Sequence, residues 1–457
     1  MKIKFAAIFL IFILLFSNFC IIEGLSKSEA EAQKLNITLS RGSSKLFDGN
    51  NLTYDNLSGK TELKFNLKAR YIYLIFLKKA ASFSVNGEKT ENNFLHCLID
   101  LKEKSAGITD SVTLDFEEGT QLSEISAYTD GALPKTVEDW NAPCEKADLL
   151  LVSTHSDDEQ LFFAGVLPLY AGQRKLRVQV AYFTNHNVNF KRNHELLNGL
   201  WTVGVRNYPE ISEFPDAWAD DRQHAERNLL KAGFTYEDAV NFQIYLLRRY
   251  KPLVAVGHDF AGEYGHGQHI LNAATLSEAV KKSADESFDP ETAQKYGTHT
   301  VKKFYVHLYN ENKIILDIDT PLDNFGGKTA FEMTKEGFKK HVSQQDTWFR
   351  EWLNGTDGNN NSGASIKKYS PREYGLYFST NEKEDVLKND FFENITTYDE
   401  LESAEHKKPE KEKEETEKNQ EKEKKEVKSK PKSIYFTAAC SLLILIITAV
   451  IIAKKRK

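Results

Sequence analysis

Short alternations of apolar and polar positions fill the first third of the chain. Thr61–Gly87 carries β-branched and aromatic residues at alternating positions and ends at the turn pair Asn86-Gly87. Val112–Gly131 repeats the pattern, with polar turns between short apolar runs. Such alternation is typical of strands with one buried face, and an Asn-Gly pair is typical of a hairpin turn. We therefore predict a small β-sandwich over residues 35–135, large enough to hold its own core.

From residue 145 on, apolar runs of strand length alternate with longer segments of helical periodicity. This order predicts a parallel sheet covered by helices on both faces, a Rossmann-like three-layer α/β/α domain over residues 145–400. No Gly-x-Gly-x-x-Gly follows the first strand, which argues against dinucleotide binding. The predicted strands are Asp148–Thr154, Leu176–Thr184 and Pro252–Gly257, and the predicted helices are Gln160–Tyr170, Lys191–Val203, Thr235–Tyr250 and one that begins at His269.

Both ends of the chain carry apolar segments of the kind used for export and anchoring. Met1–Gly24 has two lysines and then an apolar run, which predicts a signal peptide, with an uncleaved N-terminal anchor as the alternative. Ile434–Ala453 is as long as the roughly 20 apolar residues that a transmembrane helix needs. Because basic residues stay in the cytoplasm, Lys454–Lys457 would form a cytoplasmic tail. We predict a single-pass membrane protein whose main domain is extracellular, or lies in a secretory lumen.

Residues 401–432 differ from both neighbouring segments in composition. They are dominated by lysine and glutamate, with no aromatic and almost no apolar side chains. Such a segment cannot bury a core. We predict a charged, low-complexity stalk, either a solvated helix with Glu–Lys pairs or a mobile spacer.

Charge and cysteine content narrow the function classes. The formal net charge is −6 and basic residues form no stripe, so nucleic-acid binding has no support. Of the four cysteines, Cys20 falls in the predicted signal peptide and Cys440 in the predicted membrane span. The sequence leaves open whether the other two, Cys97 and Cys144, form a disulfide, and no cysteine cluster indicates a structural metal site.

Candidate metal ligands follow two of the predicted strands. The strand that ends at Thr154 delivers His155, Asp157 and Asp158 into a turn. About a hundred residues later, the strand from Pro252 leads to a loop that carries His266 and His269. Open α/β sheets bind their ligands at such strand ends. Two histidines and one aspartate, with a coordination position left open, are the ligand set of a catalytic zinc site.

These residues resemble the signature motifs of one enzyme family. His155-Ser156-Asp157-Asp158-Glu159 is similar to the His-Pro-Asp-Asp-Glu motif of the PIG-L/LmbE-like N-acetylglucosaminyl deacetylases. Gly265–His269 resembles that family's His-Pro-Asp-His motif, and Arg192 with Glu195 resembles its Arg-x-x-Glu helix. Segments near Thr320 and Ser370 resemble the longer secreted bacterial branch. The resemblance covers roughly residues 145–400.

The resemblance implies a role for each motif residue. His155, Asp158 and His269 would hold Zn²⁺, Asp157 would act as general base and then as acid, and His266 would donate to the oxyanion. Alternation of side chains along an extended turn would let the two aspartates do different work. Arg192 would contact the substrate, although pairing with Glu195 on one helix remains open.

Three positions depart from the family motifs. Ser156 replaces proline, while Gly267 and Gln268 replace proline and aspartate in the second motif. The lost aspartate would have oriented a metal-binding histidine. Gln268 retains an amide oxygen that can accept a hydrogen bond, so we expect metal binding to survive.

Several residues have a second interpretation as well. Glu159 fits helix capping or support of the ligands better than ligation. His258 and Asp259 are ligands by residue type, but the family motif does not use them. His186 and His194 are predicted at the surface or the pocket rim. The aromatic side chains Trp218, Tyr264, Trp348 and Trp352 fit either sugar stacking or core packing.

The segment Ser44–Asp55 and the closing strand Glu124–Gly131 are similar to the galactose-binding-like, discoidin-type sandwich. Carbohydrate binding there and a spacer that packs on the enzyme both remain open. For the whole chain the motifs imply a zinc-dependent N-deacetylase acting on an N-acetylglucosamine-containing glycan or glycoconjugate at the cell surface. A zinc amidase with another amide substrate and a non-catalytic surface glycan-binding protein are the alternatives.

Overall fold

Two seven-stranded sheets organise the computed structural model of this α/β protein. It describes residues 30–79, 81–90, 94–380 and 388–406. The described residues up to Ile395 belong to one compact unit, and those from Thr396 to His406 belong to a second. The predicted signal peptide, most of the stalk and the predicted membrane span lie outside the described residues. Within these ranges, no helix is both long and apolar enough to cross a membrane.

The first sheet is antiparallel and contains the predicted β segment. Buried side chains alternate along β2, where Thr61, Leu63 and Phe65 face the core. Hydrogen bonds join all seven strands in one sheet around the long strand β7. That two layers of this sheet face each other, as in a sandwich, stays a prediction. The strands are β1 Ile37–Leu39, β2 Asp55–Ala69, β3 Tyr71–Phe76, β4 Phe83–Val85, β5 Glu88–Lys89, β6 His96–Asp100 and β7 Thr109–Tyr128.

The second sheet has the order β10-β9-β8-β11-β12-β14-β13. Its first five strands are parallel, which confirms the pairing predicted from strand and helix alternation, and β14 is antiparallel to both neighbours. From β8 the chain continues to β9, the neighbour of β8 on one side in the sheet, whereas the neighbour on the other side is the later strand β11. A crevice opens at such a change of direction. The strands are β8 Leu149–Ser153, β9 Val178–Tyr182, β10 Glu210–Ile211, β11 Val254–Gly257, β12 Lys303–His307, β13 Lys313–Ile315 and β14 Glu373–Ser379.

The helices begin and end close to the predicted positions where the pattern is amphipathic. A capping box between Thr235 and Asp238 starts α3, for example, as its sequence indicates. Helices α3 and α4 bury apolar side chains against Leu150, Val152 and the next strands of the sheet. The helices are α1 Lys191–Thr202, α2 Arg222–Lys231, α3 Tyr236–Tyr250, α4 Gly267–Lys282, α5 Pro290–Tyr296, α6 Ala330–Phe338, α7 Trp348–Asn354 and α8 Tyr398–His406.

The helix predicted over Gln160–Tyr170 is wrong in its first half. Turns continue from the end of β8 through Gly165, whose φ is +86°. A Cβ at Gly165 would lie 2.3 Å from Ile318, so only glycine fits there. A π-helix over Pro168–Gln173 follows. The apolar pattern is that of a buried segment, but the left-handed glycine prevents a continuous α-helix.

The two described cysteines are free thiols. Cys97 lies in β6 and Cys144 precedes β8, and both are buried. Burial raises the pKa of Cys97 to about 11 and that of Cys144 to about 12. The disulfide that the sequence leaves open is not formed, and both cysteines pack as small apolar side chains.

Candidate active site

Three buried ligand atoms meet beyond the ends of β8 and β11. Nδ1 of His155 lies 3.2 Å from Oδ2 of Asp158 and 3.1 Å from Nε2 of His269, and the last two atoms are 3.2 Å apart. Ligand atoms bound tetrahedrally at roughly 2.0–2.1 Å stand about 3.3 Å from one another. The triangle therefore fits one face of a zinc coordination tetrahedron, with the fourth position open.

The charges around this triangle favour a cation. Burial alone would raise the pKa of Asp158, but His269 and His155 hold it well below its usual range. Burial alone would lower the pKa of His269, but Asp158 and Glu263 raise it to about 10. Buried carboxylates thus hold positive charge at the point where the ligand atoms meet, which suits a divalent ion with nitrogen and oxygen ligands.

A strained turn separates the two neighbouring aspartates. Asp157 has a φ of 134°, which residues other than glycine rarely adopt. Oδ2 of Asp158 accepts the N–H of His155 at 2.7 Å, and Oε2 of Glu159 accepts the N–H of Asp157 at 2.9 Å. The expected extended backbone is therefore wrong. The two side chains diverge because the turn reverses the chain at Asp157, and not because of strand alternation.

Gln268 orients the first histidine. Its Oε1 lies 3.1 Å from Nε2 of His155 and accepts the N–H of Ala217, while its Nε2 donates to the carbonyl of Pro215. These partners fix the amide so that oxygen faces the imidazole. Nε2–H of His155 can then donate to it, which leaves the Nδ1 lone pair for a metal. Gln268 is placed as expected for a substitute of the family aspartate.

Glu263 supports the second histidine, and our sequence analysis missed it. Its Oε2 lies 2.7 Å from Nδ1 of His269, and its Oε1 lies 3.0 Å from His258 and 2.9 Å from His307. Burial would raise the pKa of Glu263, but these imidazoles hold it well below its usual range. A carboxylate behind a metal-binding histidine fixes its tautomer. An acidic residue six positions before His269 was the available signal.

His258 belongs to a second possible ligand group, with Asp158 and His269. Its Nε2, however, accepts the backbone N–H of Thr154 at 3.0 Å, and its Nδ1 faces Glu263. Both nitrogens are therefore engaged, and His258 stabilises the loop after β11.

Asp157 is buried next to Asp158 in the chain and pairs with Arg192. Burial raises its pKa to about 7, although Arg192 opposes the shift. The Arg192 guanidinium donates to Oδ1 of Asp157 at 3.1 Å, to the carbonyl of Ser156 at 2.6 Å and to Asp216 at 3.2 Å. A carboxyl group with a pKa near neutrality can take up a proton and release it again.

The helix pair considered for Arg192 is not formed. Glu195 instead accepts from the N–H and hydroxyl of Ser343, at 2.8 and 2.5 Å. Arg192 instead bridges Asp157 and Asp216. Asp216 is a second site residue that the sequence analysis missed, because it comes from a loop without a recognisable pattern.

His266 caps α4 at the edge of the triangle. Its Nδ1 accepts the N–H of Gln268 at 3.1 Å, and its ring centre lies 4.8 Å from that of His155. Burial and the nearby His155 and His269 lower the pKa of His266 to about 2. The neutral ring therefore carries its proton on Nε2, as a donor. His266 also belongs to a possible ligand group with His155 and His269.

Three other predictions can be compared with the structure. Glu159 supports the turn through Asp157 and forms a buried pair with His341 at 2.9 Å. The rim positions predicted for His186 and His194 are wrong, since both are buried. His186 accepts the N–H of Ser156 and faces Asp216, and His194 contacts His96 of the first sheet. The sequence did not indicate the burial of His186 and His194, because few of their neighbours in the chain are apolar.

Comparison with known proteins gives distant structural likenesses only. No protein-family model matches the chain, and no curated protein matches it. N,N'-diacetylchitobiose deacetylase from Pyrococcus horikoshii shares 14% identity over 51% of this chain and 84% of its own, with a TM-score of 0.37. A conserved protein from Thermus thermophilus shares 15% identity over 52% of this chain and 97% of its own, with a TM-score of 0.36. A 4-carboxy-2-hydroxymuconate hydratase from Pseudomonas putida shares 15% identity over 52% of this chain and 98% of its own, with a TM-score of 0.32. Similarity at this level does not assign the chain to a family.

Proposed function

We propose that this protein is a zinc-dependent hydrolase that removes the N-acetyl group from an N-acetylglucosamine-containing glycan or glycoconjugate. The observation that carries the proposal is the triangle of ligand atoms from His155, Asp158 and His269 beside the carboxyl group of Asp157. A metal site with an open position next to an acid–base group is the minimum that amide hydrolysis requires.

His155, Asp158 and His269 would hold the zinc ion. When bound, zinc lowers the pKa of water and polarises a carbonyl oxygen. Glu263 and Gln268 would keep the two imidazoles in the tautomers that leave a lone pair for the metal.

Asp157 would move the proton. Its carboxylate would accept a proton from the attacking water and hand it to the leaving nitrogen as the C–N bond breaks, which yields acetate and a free amine. Arg192 would hold Oδ1 in place, so that Oδ2 faces the reacting atoms. His266 would donate from Nε2 to the oxygen that gains negative charge.

The proposed location rests on the sequence at the two ends. Residues 1–24 would direct export, 434–453 would anchor the chain in the membrane and 401–432 would hold the enzyme away from the surface. Residues 454–457 would remain in the cytoplasm. The substrate would then be a glycan at the cell surface or in a secretory lumen.

Acetate release by the detergent-purified full chain tests the proposed activity. Substrates would be N-acetylglucosamine, chito-oligosaccharides and peptidoglycan fragments, with zinc supplied. We expect release by the wild type and by the exposed control Asp110→Asn, and loss of at least about a hundredfold in Asp157→Ala. Equal release by Asp157→Ala would contradict the mechanism. Release from other amides alone would favour the amidase, and glycan binding without any release would favour a binding protein.

A further inference from the structure

Three aromatic rings form a row at the edge of the candidate active site. Trp218 is 60% exposed and Trp348 is 48% exposed, which is unusual for such large side chains. The half-buried ring of Tyr264 lies between them, 6.3 Å from Trp218 and 5.8 Å from Trp348 between ring centres. The Trp218 ring also lies 4.6 Å from that of His266. The row of rings therefore starts in contact with His266 of the candidate active site.

Hydrogen bonds and ring packing hold the exposed rings in place. Nε1 of Trp218 donates to Asp220 at 2.8 Å, and its carbonyl accepts from Asn228 at 3.0 Å. On the other side, Phe349 and Trp352 of α7 pack on the buried ring of Phe162, at 5.9 and 5.7 Å. This packing fixes α7 and leaves Trp348, its first residue, in solvent. The rings would lose little freedom when a ligand covers them.

The surroundings favour a carbohydrate as that ligand. Aromatic faces carry partial negative charge and attract the polarised C–H groups on one face of a pyranose ring. Asp216, whose side chain is 28% exposed, and Asp220, whose side chain is 72% exposed, lie two positions before and after Trp218 in the chain and offer carboxylate acceptors for hydroxyl groups. An exposed apolar surface with a polar rim beside a catalytic crevice marks a ligand groove.

We propose that Trp218, Tyr264 and Trp348 stack on a pyranose ring next to the one that carries the reacting acetamide. The inference rests on the proposed function and deepens it, because it makes oligosaccharides, and not the free monosaccharide, the substrate class. The acetamide-bearing ring occupies the crevice at His266, and its neighbour covers the aromatic row.

Binding without turnover tests this platform. The full-length Asp157→Ala chain would be titrated by calorimetry with chitotetraose, cellotetraose, xylotetraose and N-acetylglucosamine. We expect at least one tetrasaccharide to bind more tightly than the monosaccharide. Adding Trp218→Ala or Trp348→Ala would weaken that binding by up to about tenfold per ring, the upper range for an aromatic contact. Trp218→Tyr would restore most of it, and Ile315→Ala, which shortens an apolar side chain that is 45% exposed in the edge strand β13, would change nothing.

The outcomes separate the platform from the proposed activity. If no tetrasaccharide binds, or if both tryptophan variants bind as tightly as their parent, the platform is refuted. Acetate release that both tryptophan variants retain equally for monomer and tetramer would refute it as well, while the deacetylase activity would stand. Binding that depends on the tryptophans, with no acetate release by the wild type, would support the platform and refute the deacetylase.

Discussion

At the scale of single residues, most of the site's organisation comes from buried groups around the ligands. Glu263 contacts three imidazoles, Gln268 orients His155, and Glu159 supports the backbone of Asp157. Each supporting group is almost fully buried. Replacing one of these buried groups leaves its hydrogen-bond partner unsatisfied, which costs free energy. We therefore expect such a replacement to weaken metal binding nearly as much as the replacement of a ligand.

Substitution of Glu263 tests directly whether the groups behind the ligands contribute to metal binding. Glu263→Gln keeps the shape of the side chain but removes the charge that holds Nδ1–H of His269. We expect zinc affinity to fall by about 10- to 100-fold, the usual effect of losing such a group. Competition with a chelator would measure it, with the exposed Glu286→Gln as control. Wild-type affinity in Glu263→Gln would mean that the carboxylate does not position the ligand.

The pair of Glu159 and His341 supports a stability prediction. Both side chains are fully buried, and Glu159, Asp157 and Glu195 outweigh burial and raise the pKa of His341. Removing one partner leaves the other uncompensated, so His341→Ala should cost about 3 kcal/mol of unfolding free energy. Glu159→Gln with His341→Ala should cost less than the sum of the single changes. Additive losses in denaturant unfolding would show that the two groups do not interact.

At the scale of elements, the ends of β8 and β11 bring the two motifs together because neighbouring parallel strands end at the same edge. Helix α4 must then start close to the loop before α2. A Cβ on Gly267 would lie 2.0 Å from the carbonyl oxygen of Asp221, so the backbones touch there. The close approach fixes the position of His266 and His269 at the start of α4.

Gly267→Ala tests that contact. The added methyl group must push α4 outwards, so we expect a lower melting temperature and weaker zinc binding together. Gly326→Asn is the control, because its φ of +63° suits asparagine and a Cβ added there meets nothing within 4 Å. A fully stable Gly267→Ala chain with unchanged zinc affinity would show that α4 can shift without disturbing the ligands.

A buried hydrogen-bond chain links α1 to the first sheet. His194 accepts from His96 and donates to the carbonyl of Leu77, at 2.8 and 3.0 Å. Burial, with a smaller effect of His96, lowers the pKa of His194 from 6.5 to about 3. Between pH 6.5 and about pH 3, the His194 imidazole is therefore protonated in the unfolded chain and neutral in the folded chain. This contribution to stability is therefore present above pH 6.5 and is lost as the pH falls towards 3.

At pH 5 the loss should be about 2 kcal/mol relative to pH 7. Urea unfolding of the wild type and His194→Gln at several pH values would measure it together with any change at the neighbouring His96. We expect a flatter pH dependence in the variant over pH 5–7. Parallel curves would show that His194 does not titrate as its burial requires.

The sequence predicted those features that depend on local pattern. Strand and helix periods located β8, β9 and β11 and the helices α1, α3 and α4, and the two motifs contained the three residues whose ligand atoms meet. The positive φ of Asp157, the support from Glu263 and the place of Asp216 depend on how loops close over distant segments. No local pattern encodes such contacts, and a buried histidine such as His194 looks like a surface one when its neighbours are polar.

At the scale of the whole molecule, an α/β sheet is joined to terminal segments of quite different composition. An exported, anchored chain would keep the crevice near glycans of the same surface. Removal of residues 434–457 should release the protein from membranes into the medium with its acetate release intact. Fractionation of cells that express both forms would measure this. A full-length chain found in the soluble fraction would contradict the proposed anchor.

Zinc content of the purified full chain tests the central claim most directly. After equilibration with zinc and removal of the excess, we predict one tightly held ion per wild-type chain and per Asp110→Asn chain. Asp158→Asn and His269→Gln should hold almost none while remaining folded by circular dichroism. A folded wild-type chain without zinc, or zinc retained equally by both ligand variants, would contradict the assignment of His155, Asp158 and His269.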